Sequence, residues 1–290
     1  MKLWIVTGAI VKYESLVEMT KQGEELLKKM DVSVEVYRRF DISYTLDGNG
    51  SRKLFANGKE VSAPDRLFFY GAYDAYLQGI EDTLTAMGTV SINPIEKKRI
   101  AGSKLQTAQL LTNAKVPTIK TMPIYRGTPV EQIREQVGIP CVIKPDGGFG
   151  GKGVELIHDE EELKKYLAEI PENYVDMLLA QPYISTSKGR DVRVVMAGGK
   201  PYTAVIRQAG NPDEFRSNVH QGGHFEEYEL TDEMRDIAEK ATKAIGLTIC
   251  GLDLLFGEDG FLVGEINDSP GMKQLVEKVG LSKLYQSMMG

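Results

Sequence analysis

Cysteine is scarce in this chain: only Cys141 and Cys250 occur, and both lie in apolar, strand-like runs. Such thiols are typically buried, so neither a disulfide framework nor a cysteine metal site is expected. The sequence also lacks any apolar run near the ~20 residues that a membrane-spanning helix requires. The first apolar run, 3–6, is too short for a signal-peptide core, and no cleavage pattern follows it. We therefore expect no membrane partner and a cytoplasmic location.

Basic residues are in the minority, because 35 lysines and arginines stand against 41 aspartates and glutamates, for a formal net charge of −6. No basic run interleaved with aromatic residues is present. Both features argue against nucleic acid as a partner. The apolar fraction of 42% and the charged fraction of 26% are ordinary for a soluble globular protein, and 290 residues suit two or three structural units.

The first third of the chain alternates predicted strands and helices. Strands are expected at 3–7, 32–37, 66–70 and 89–92, helices at 14–30 and 73–87, and a hairpin that turns at Asn57-Gly58. This alternation predicts a small α/β unit with a largely parallel sheet, which ends at Asn93-Pro94.

The remainder has a more mixed pattern. Helices are expected at 95–112, 128–137, 160–168 and 231–245, and strands at 141–144, 154–157, 177–180, 192–197 and 201–206. A hairpin closes the chain, since two short apolar runs flank Gly257-Glu-Asp-Gly260.

This closing hairpin carries Asp253, Glu265 and Asn267. If its loop is 258–260, with Gly260 in the left-handed conformation, Asp253 lies opposite Glu265 and Asn267 points to the same face. The other face then directs four apolar residues toward a core: Leu252, Leu254, Leu262 and Ile266. A cluster of hard oxygen donors suits Mg²⁺ shared with substrate phosphates. The alternative is a solvated hairpin edge that happens to be acidic.

A glycine-rich loop occupies 146–153 and admits three interpretations. Its G-x-G-x-x-G string runs into a predicted strand, whereas a dinucleotide fingerprint opens a helix. A P-loop also fails, because Gly153 follows Lys152 where Ser or Thr is needed. The third interpretation is a flexible hairpin that closes over nucleotide phosphates, with Lys144 below it. A plain surface hairpin remains the alternative.

Four segments together resemble the ATP-grasp fold, most closely the RimK-like carboxylate–amine ligases. They are Asn93-Pro with the helix bearing Lys104; Val142-Ile-Lys144-Pro with the glycine-rich loop; Gln181-Pro-Tyr-Ile with Lys188-Gly-Arg-Asp191-Val-Arg193; and Ile206-Arg207-Gln-Ala with Phe215-Arg216-Ser217-Asn218-Val-His-Gln-Gly222-Gly223 and the closing hairpin. They occur in family order over roughly residues 90–275. Ser269-Pro-Gly271 after the Glu-x-Asn resembles the glutamate-adding branch.

The resemblance implies an α/β architecture of three parts: an N-terminal domain (1–93), a central ATP-grasp subdomain with a glycine-rich lid (94–180), and a C-terminal subdomain with the Mg²⁺ site (181–290). ATP would bind between the last two. Residues of the lysine, lid, hinge and phosphate-side segments would bind it: Lys104, Lys144, Gly148, Gly150, Gly151, Gly153, Gln181, Pro182, Tyr183, Asp191, Arg216, Ser217 and Asn218. Asp253, Glu265 and Asn267 would hold two Mg²⁺ ions, with Mn²⁺ as a substitute.

Catalytic roles would fall to Arg207, Arg216 and Asn218, with Arg207 facing the γ-phosphate. Judged without the family, strand arginines such as Arg193 and Arg207 are usually partners in structural ion pairs. Pro182 departs from the family, where Glu is frequent. Because proline has no amide donor, a hinge contact through that amide is in doubt.

The implied activity is ATP-dependent amide-bond formation between a carboxylate and an amino acid, most plausibly glutamate. It would pass through an acyl phosphate and release ADP and phosphate. The partners would be ATP, the amino acid and a carboxylate-bearing acceptor. The sequence leaves the oligomeric state open, although relatives often form homo-oligomers, as dimers or tetramers. Two alternatives stay open: a nucleotide-binding regulatory or scaffold protein without turnover, and a kinase that stops at a phosphorylated product.

Overall fold

The structure is a computed structural model that describes residues 1–8, 10–71, 73–148, 152–211, 214–217, 223–271, 276 and 279–289. Its mixed α/β character confirms the predicted class. Three main sheets follow one another along the chain, with a small antiparallel sheet beside the first. None of the helices in these described ranges is both long and apolar enough to span a bilayer.

The N-terminal sheet is wholly parallel, in the order β2-β1-β6-β7. Its strands and helices are β1 (Lys2–Thr7), α1 (Ile10–Gln22), α2 (Glu24–Lys29), β2 (Ser33–Arg38), β6 (Arg66–Tyr70), α3 (Ala75–Ala86) and β7 (Val90–Ile92). The small sheet consists of β3 (Ile42–Leu46), β4 (Arg52–Ala56) and β5 (Lys59–Val61). The predicted Asn57-Gly58 hairpin is confirmed, whereas β3 was not expected.

The predicted helix at 14–30 is wrong in one respect, because it divides at Gly23 into α1 and α2. A Cβ at Gly23 would lie only 3.0 Å from Cε2 of Tyr285. The glycine therefore admits the C-terminal helix at the point where the first helix stops.

The central sheet is antiparallel, in the order β10-β9-β11-β8. Its elements are β8 (Met122–Ile124), α6 (Val130–Gln136), β9 (Cys141–Pro145), β10 (Glu155–Ile157), α7 (Glu160–Glu169) and β11 (Leu178–Pro182). Ile143, Ile133 and Leu163 join one core with the apolar faces of α6 and α7. Two helices precede this sheet, α4 (Ile95–Gly102) and α5 (Lys104–Asn113), where one helix was predicted.

The C-terminal sheet has five antiparallel strands in the order β14-β13-β12-β15-β16. Its elements are β12 (Arg190–Ala197), β13 (Lys200–Gln208), β14 (His224–Tyr228), α8 (Asp232–Ile245), β15 (Cys250–Phe256), β16 (Phe261–Asn267) and α9 (Leu281–Met289). Helix α8 buries Met234, Ile237 and Ala241 against it. Cys141 and Cys250 are free, buried thiols, as expected.

Successive residues of β1 face opposite sides of its sheet, so they join two different cores. Trp4 and Val6 pack with α3 and the small sheet. Leu3 and Ile5 instead pack with α9 and with Val195 of β12. The first and last sheets of the chain therefore share one hydrophobic core.

Candidate active site

The closing hairpin places Asp253 of β15 directly opposite Glu265 of β16, and Gly251 opposite Asn267. The predicted pairing of Asp253 with Glu265 is therefore correct, but it arises differently. Phe256 pairs with Phe261, so four residues connect the strands, and a β-bulge then restores the register. Since the pairing passes from Val263 directly to Glu265, Gly264 is the extra residue.

The bulge changes which residue faces the core. Leu254, Val263 and Ile266 are buried in the core beneath the C-terminal sheet, whereas Leu262 is only partly buried. The expectation that Leu262 would point inward is wrong. The assumed three-residue loop would pair Phe256 with Leu262, whereas the observed four-residue loop pairs Phe256 with Phe261. Leu252 and Leu254 do point inward as predicted.

Asp253 is the centre of the polar network and is 5% exposed. Its two oxygens accept hydrogen bonds from Nε and Nη2 of Arg193, both at 2.7 Å. Nη2 of Arg207 donates to Oδ2 at 2.7 Å, and Nδ2 of Asn267 donates to the same oxygen at 3.3 Å. Burial alone would raise the pKa of Asp253, but the charges of Arg193 and Arg207 outweigh burial and lower it. Asp253 is therefore an anion held between two guanidinium groups.

Arg207 bridges two carboxylates. Strands β12 and β13 pair Asp191 with Arg207, whose Nε and Nη2 donate to Oδ1 and Oδ2 of Asp191 at 2.6 and 2.5 Å. The hydroxyl of Ser217 donates to Oδ2 of the same carboxylate. Burial, and next the charge of Asp253, raise the pKa of Asp191, although Arg207 opposes them. Asp191, predicted to contact nucleotide, orients Arg207 and Ser217 in this structure.

Two lysines from the central part of the chain face this network. Lys144 lies on β9, and Lys104 is the first residue of α5. Burial, followed by the neighbouring charge of Lys104, lowers the pKa of Lys144 to about 8, while the carboxylate of Glu265 acts in the opposite direction. Burial and the charge of Asp253 raise the pKa of Glu265, and both lysines oppose that shift. These mutual effects place Lys104, Lys144 and Glu265 in one electrostatic neighbourhood.

Seven of these groups shift one another's pKa. Four of them are basic (Lys104, Lys144, Arg193 and Arg207) and three are carboxylates (Asp191, Asp253 and Glu265), so this subset carries one formal positive charge, which the carboxylate of Asp146 beside Lys104 offsets. Because Asp253 and Asp191 raise the pKa of Arg207 despite its burial, that cation does not titrate. These partly buried lysines and arginines can attract a polyphosphate, because water screens their positive charge poorly.

The donor set also fits Mg²⁺. Asp253 and Glu265 offer carboxylate oxygens, and Asn267 retains its amide oxygen after its nitrogen has donated to Asp253. Hard oxygen ligands, completed by water and phosphate oxygens, are the set that Mg²⁺ prefers. Within the described ranges no group of three or more His, Cys, Asp or Glu side chains could hold a metal ion, and this site itself combines two carboxylates with one amide.

The glycine-rich loop is attached to helix α5 at its first residues. The Asp146 side chain accepts a hydrogen bond from the amide of Leu105 at 2.7 Å, and its carbonyl accepts one from Nζ of Lys104 at 3.2 Å. Nζ of Lys104 also donates to the carbonyl of Gly148 at 3.3 Å. Gly148 and Gly153 have φ values of +104° and +70°, which glycine adopts without strain. Gly150 and Gly151 lie outside the described residues.

The predicted hinge runs out of β11. Gln181 is buried and donates from Nε2 to the hydroxyl of Thr121 at 2.8 Å, while Pro182 pairs with Cys141 of β9. The amide of Tyr183 donates to the carbonyl of Pro140 at 3.1 Å. The amide of Tyr183 is therefore already paired within the protein, and Pro182 has no amide hydrogen. Their carbonyl groups remain available to bind a ligand.

Arg216 lies beside the hinge. Its backbone amide, Nε and Nη2 donate to the Glu214 carboxylate at 2.8–2.9 Å, which lowers the pKa of Glu214 to about 2. Its guanidinium lies 5.6 Å from the ring centroid of Phe215, and that ring meets Tyr183 edge to face at 6.3 Å. Asn218, the other predicted catalytic residue of this segment, lies outside the described residues.

Sequence reasoning missed three members of the site: Arg193, Asp146 and Glu214. Arg193 was interpreted as an ion-pair arginine, and its partner proved to be Asp253. A local signal did exist, because Asp191 and Arg193 alternate with the buried Val192 and Val194 and so share one face of β12. No comparable signal marks Asp146 or Glu214, whose roles depend on contacts with other segments or on the local fold of the chain.

Comparison with known proteins agrees with this geometry. The sequence profile of the RimK-like ATP-grasp domain matches residues 101–286. A probable alpha-L-glutamate ligase of Marinomonas sp. (strain MWYL1) is 32% identical over 271 residues, which cover 90% of this chain and 86% of that one.

Two solved structures share the fold at low sequence identity. The ATP-grasp ligase PsnB complexed with a minimal precursor superposes with a TM-score of 0.68 at 17% identity, covering 99% of this chain and 97% of that one. A D-alanine–D-alanine ligase from Bacillus anthracis gives a TM-score of 0.66 at 17% identity, covering 100% and 96%. The profile match and the ligase relatives support ATP-dependent joining of a carboxylate to an amine. The chain belongs to the RimK-like ATP-grasp family.

Proposed function

We propose that this protein joins an amino acid, glutamate, to an acceptor carboxylate through an acyl phosphate, with release of ADP and phosphate. The observation that carries the proposal is the convergence of Lys104 and Lys144 with Asp253 and Glu265 in one electrostatic neighbourhood. The amino acid is taken from relatives named probable alpha-L-glutamate ligases.

The proposed reaction has two steps. An oxygen of the acceptor carboxylate attacks the γ-phosphorus of ATP, the bond from that phosphorus to the β-γ bridging oxygen breaks, and ADP leaves. The amine nitrogen then attacks the acyl carbon, a C–N bond forms, the bond to phosphate breaks, and the nitrogen loses a proton to solvent. Neither step needs a side-chain nucleophile, so this chemistry requires no catalytic triad.

The residues of the cleft have assigned roles in this proposal. Lys104 and Lys144 neutralise phosphate charge, and Arg207 faces the transferred phosphoryl group, oriented by Asp191. Asp253, Glu265 and Asn267 hold Mg²⁺, which when bound neutralises charge on the phosphate oxygens. Gln181, Pro182 and Tyr183 border the adenine through carbonyl groups, since the amide of Tyr183 is already used.

The segment around the lid protects the intermediate. An acyl phosphate hydrolyses readily, so the site must exclude water before the amine arrives. The loop at 146–153, with Gly148 and Gly153, closes over the phosphates in this proposal. Arg216 and Asn218 line the acyl side, together with Ser217.

The direct test is mass spectrometry of the products. The protein is incubated with ATP, Mg²⁺, glutamate or another amino acid, and a panel of carboxylate acceptors, while ADP and phosphate are measured in parallel. A product heavier by one amino acid minus water, with equal ADP and phosphate, supports the ligase. ADP formed without an amine requirement and without free phosphate would indicate a kinase instead. Nucleotide binding with no ADP from any combination would contradict the ligase proposal and favour a regulatory protein.

The metal assignment is tested by Glu265→Ala. We expect turnover to fall at least ~100-fold, because the variant removes a ligand to the ion that neutralises the transferring phosphate. The melting temperature should show that the protein remains folded. The matched control is Glu258→Ala, which removes an exposed carboxylate from the loop of the same hairpin and should keep wild-type activity. Wild-type rates in Glu265→Ala would refute the assignment.

A further inference from the structure

Lys98 of α4 is a lysine with no exposed surface, and the proposed reaction does not use it. Lysine is rarely fully buried, because an ammonium group loses its hydration there. Its neighbour Lys97 stays partly exposed, with Nζ 3.5 Å from a carboxylate oxygen of Glu96. The sequence thus places two adjacent lysines in opposite environments.

The ammonium of Lys98 joins two distant parts of the chain. It donates to the carbonyl oxygens of Phe69 and Gly71, both at 3.0 Å, at the carboxyl end of β6. It also donates to the hydroxyl of Ser269 at 3.2 Å and lies 3.4 Å from Oδ2 of Asp268. Asp268 and Ser269 directly follow Asn267, the last residue of β16.

The turn at 268–270 has two further contacts with the same end of β6. The amide of Gly71 donates to the hydroxyl of Ser269 at 3.2 Å, and the hydroxyl of Tyr70 donates to the carbonyl of Pro270 at 3.1 Å. A carboxylate, a hydroxyl and a carbonyl of this turn are therefore all held by α4 and β6. This attachment begins one residue after Asn267 and three residues after Glu265.

A purely stabilising role explains the charge poorly. Buried ion pairs are often replaceable by apolar residues without loss of stability, since desolvation offsets much of their attraction. The ammonium contacts two oxygens at the end of β6 and two oxygens of the turn, and so holds the turn at a defined distance from β6. Asn267, whose Nδ2 donates to Asp253 at 3.3 Å, is the residue immediately before this turn.

We propose that Lys98 is a positioning residue for the metal end of the site, acting through the turn at 268–270 on Asn267 and Glu265. The inference rests on the proposed function, because it assumes that these two residues bind Mg²⁺. Removal of Lys98 leaves Asp268 without its cation and the turn held only through Tyr70 and Gly71, so the oxygen ligands lose part of their fixed spacing.

The test compares Lys98→Met with Lys97→Met as the matched control on the same helix. Calorimetry measures ADP binding at increasing Mg²⁺, and the melting temperature is measured without either ligand. We expect Lys98→Met to need ~10–100-fold more Mg²⁺ for half-maximal enhancement of ADP binding, the range typical of residues that orient metal ligands. ADP affinity without Mg²⁺ should stay at the wild-type level, and Lys97→Met should match wild type throughout. A purely structural role would lower the melting temperature and leave the Mg²⁺ dependence unchanged, which would overturn the proposal.

Two further variants keep the test decisive if Lys98→Met does not fold. Asp268→Asn and Ser269→Ala each remove one partner of the ammonium from the turn itself, and both should raise the Mg²⁺ requirement in the same direction. Wild-type Mg²⁺ dependence in both variants would overturn the positioning role of Lys98 and leave the metal assignment standing. If the wild-type protein shows no Mg²⁺-dependent ADP binding, the metal assignment and the positioning role are both overturned.

Discussion

Lys144 and Glu265 are close enough to influence each other's charge, and burial works against the charged form of each. Burial, together with a like charge nearby, lowers the pKa of Lys144 to about 8 and raises that of Glu265. Each side chain stabilises the charged form of the other, because Glu265 raises the pKa of Lys144 and Lys144 lowers the pKa of Glu265. Phosphate groups entering the cleft favour the ammonium form, so nucleotide binding and protonation of Lys144 are linked.

This linkage predicts a pH dependence for the affinity of ADP. Below pH 8 Lys144 is already charged and binding requires no proton. Above it, binding must draw a proton from solvent, so affinity should fall as pH rises, approaching ~tenfold per pH unit. Calorimetry from about pH 7 to about pH 9.5 measures the slope. The control Lys144→Met should bind ADP more weakly at pH 7 and lack this slope. A flat wild-type profile would contradict the assignment.

Ser103 ends one helix and begins the next, and this division places Lys104. Its hydroxyl accepts a hydrogen bond from the amide of Gln106 at 3.1 Å, which makes it the N-cap of α5. The first turn of α5 then meets Asp146 of the glycine-rich loop through Lys104 and Leu105. A single helix across 95–112, as the pattern predicted, would not bring Lys104 to that loop in the same way.

The helix start can be tested by Ser103→Ala. Loss of the cap should lower the free energy of unfolding by ~1 kcal/mol and also weaken ADP binding, because the position of Lys104 depends on it. Thr231→Ala is the matched control, since Thr231 caps α8 through the amide of Met234 at 3.3 Å. It should cost similar stability, measured by urea unfolding, and leave ADP affinity unchanged. Equal ADP affinity in both variants would refute the link between the cap and the site.

Across the whole molecule, the hydrophobic core beneath the N-terminal sheet extends into the C-terminal one. Leu3 and Ile5 share it with Val195 and with Leu284 of α9. Asn93 strengthens this connection, because its side-chain oxygen accepts hydrogen bonds from the amides of Thr248 and Ile249 at 2.8 and 3.1 Å. The central sheet has a separate core. We therefore expect the first and last sheets to unfold together.

Leu284→Ala tests this coupling. Truncation of this fully buried side chain should lower the free energy of unfolding by ~2–5 kcal/mol. Hydrogen exchange should then accelerate in both β1 and β12, although only α9 carries the change. Leu163→Ala, at an equally buried position of the central core, should cost a similar amount and accelerate exchange in β8 to β11. Acceleration restricted to α9 in Leu284→Ala would contradict a shared core.

Much of the site was predictable because its signals are local. Apolar alternation and a Gly-rich turn predict Asp253 opposite Glu265, and that pairing is found because the bulge at Gly264 offsets the one residue by which the assumed loop was too short. The parallel N-terminal sheet follows from strands that alternate with helices. The order of the lysine, hinge and hairpin segments, spread over most of the chain, identifies the family.

The remaining features depend on contacts between segments far apart in the chain. The bulge at Gly264, the clamp of Arg193 and Arg207 on Asp253, and the contact of Tyr285 with Gly23 each require two strands or helices to meet at a particular register. Lys98 shows the limit best: helical spacing places it on the face of Ile95 and Ala101, but only the packing of that face reveals that the lysine is fully buried. The sequence by itself determined the periodicity, the turns and the chemical groups available to the site. Only the tertiary structure decided which of those groups meet, because burial and ion pairing depend on the packing of distant segments.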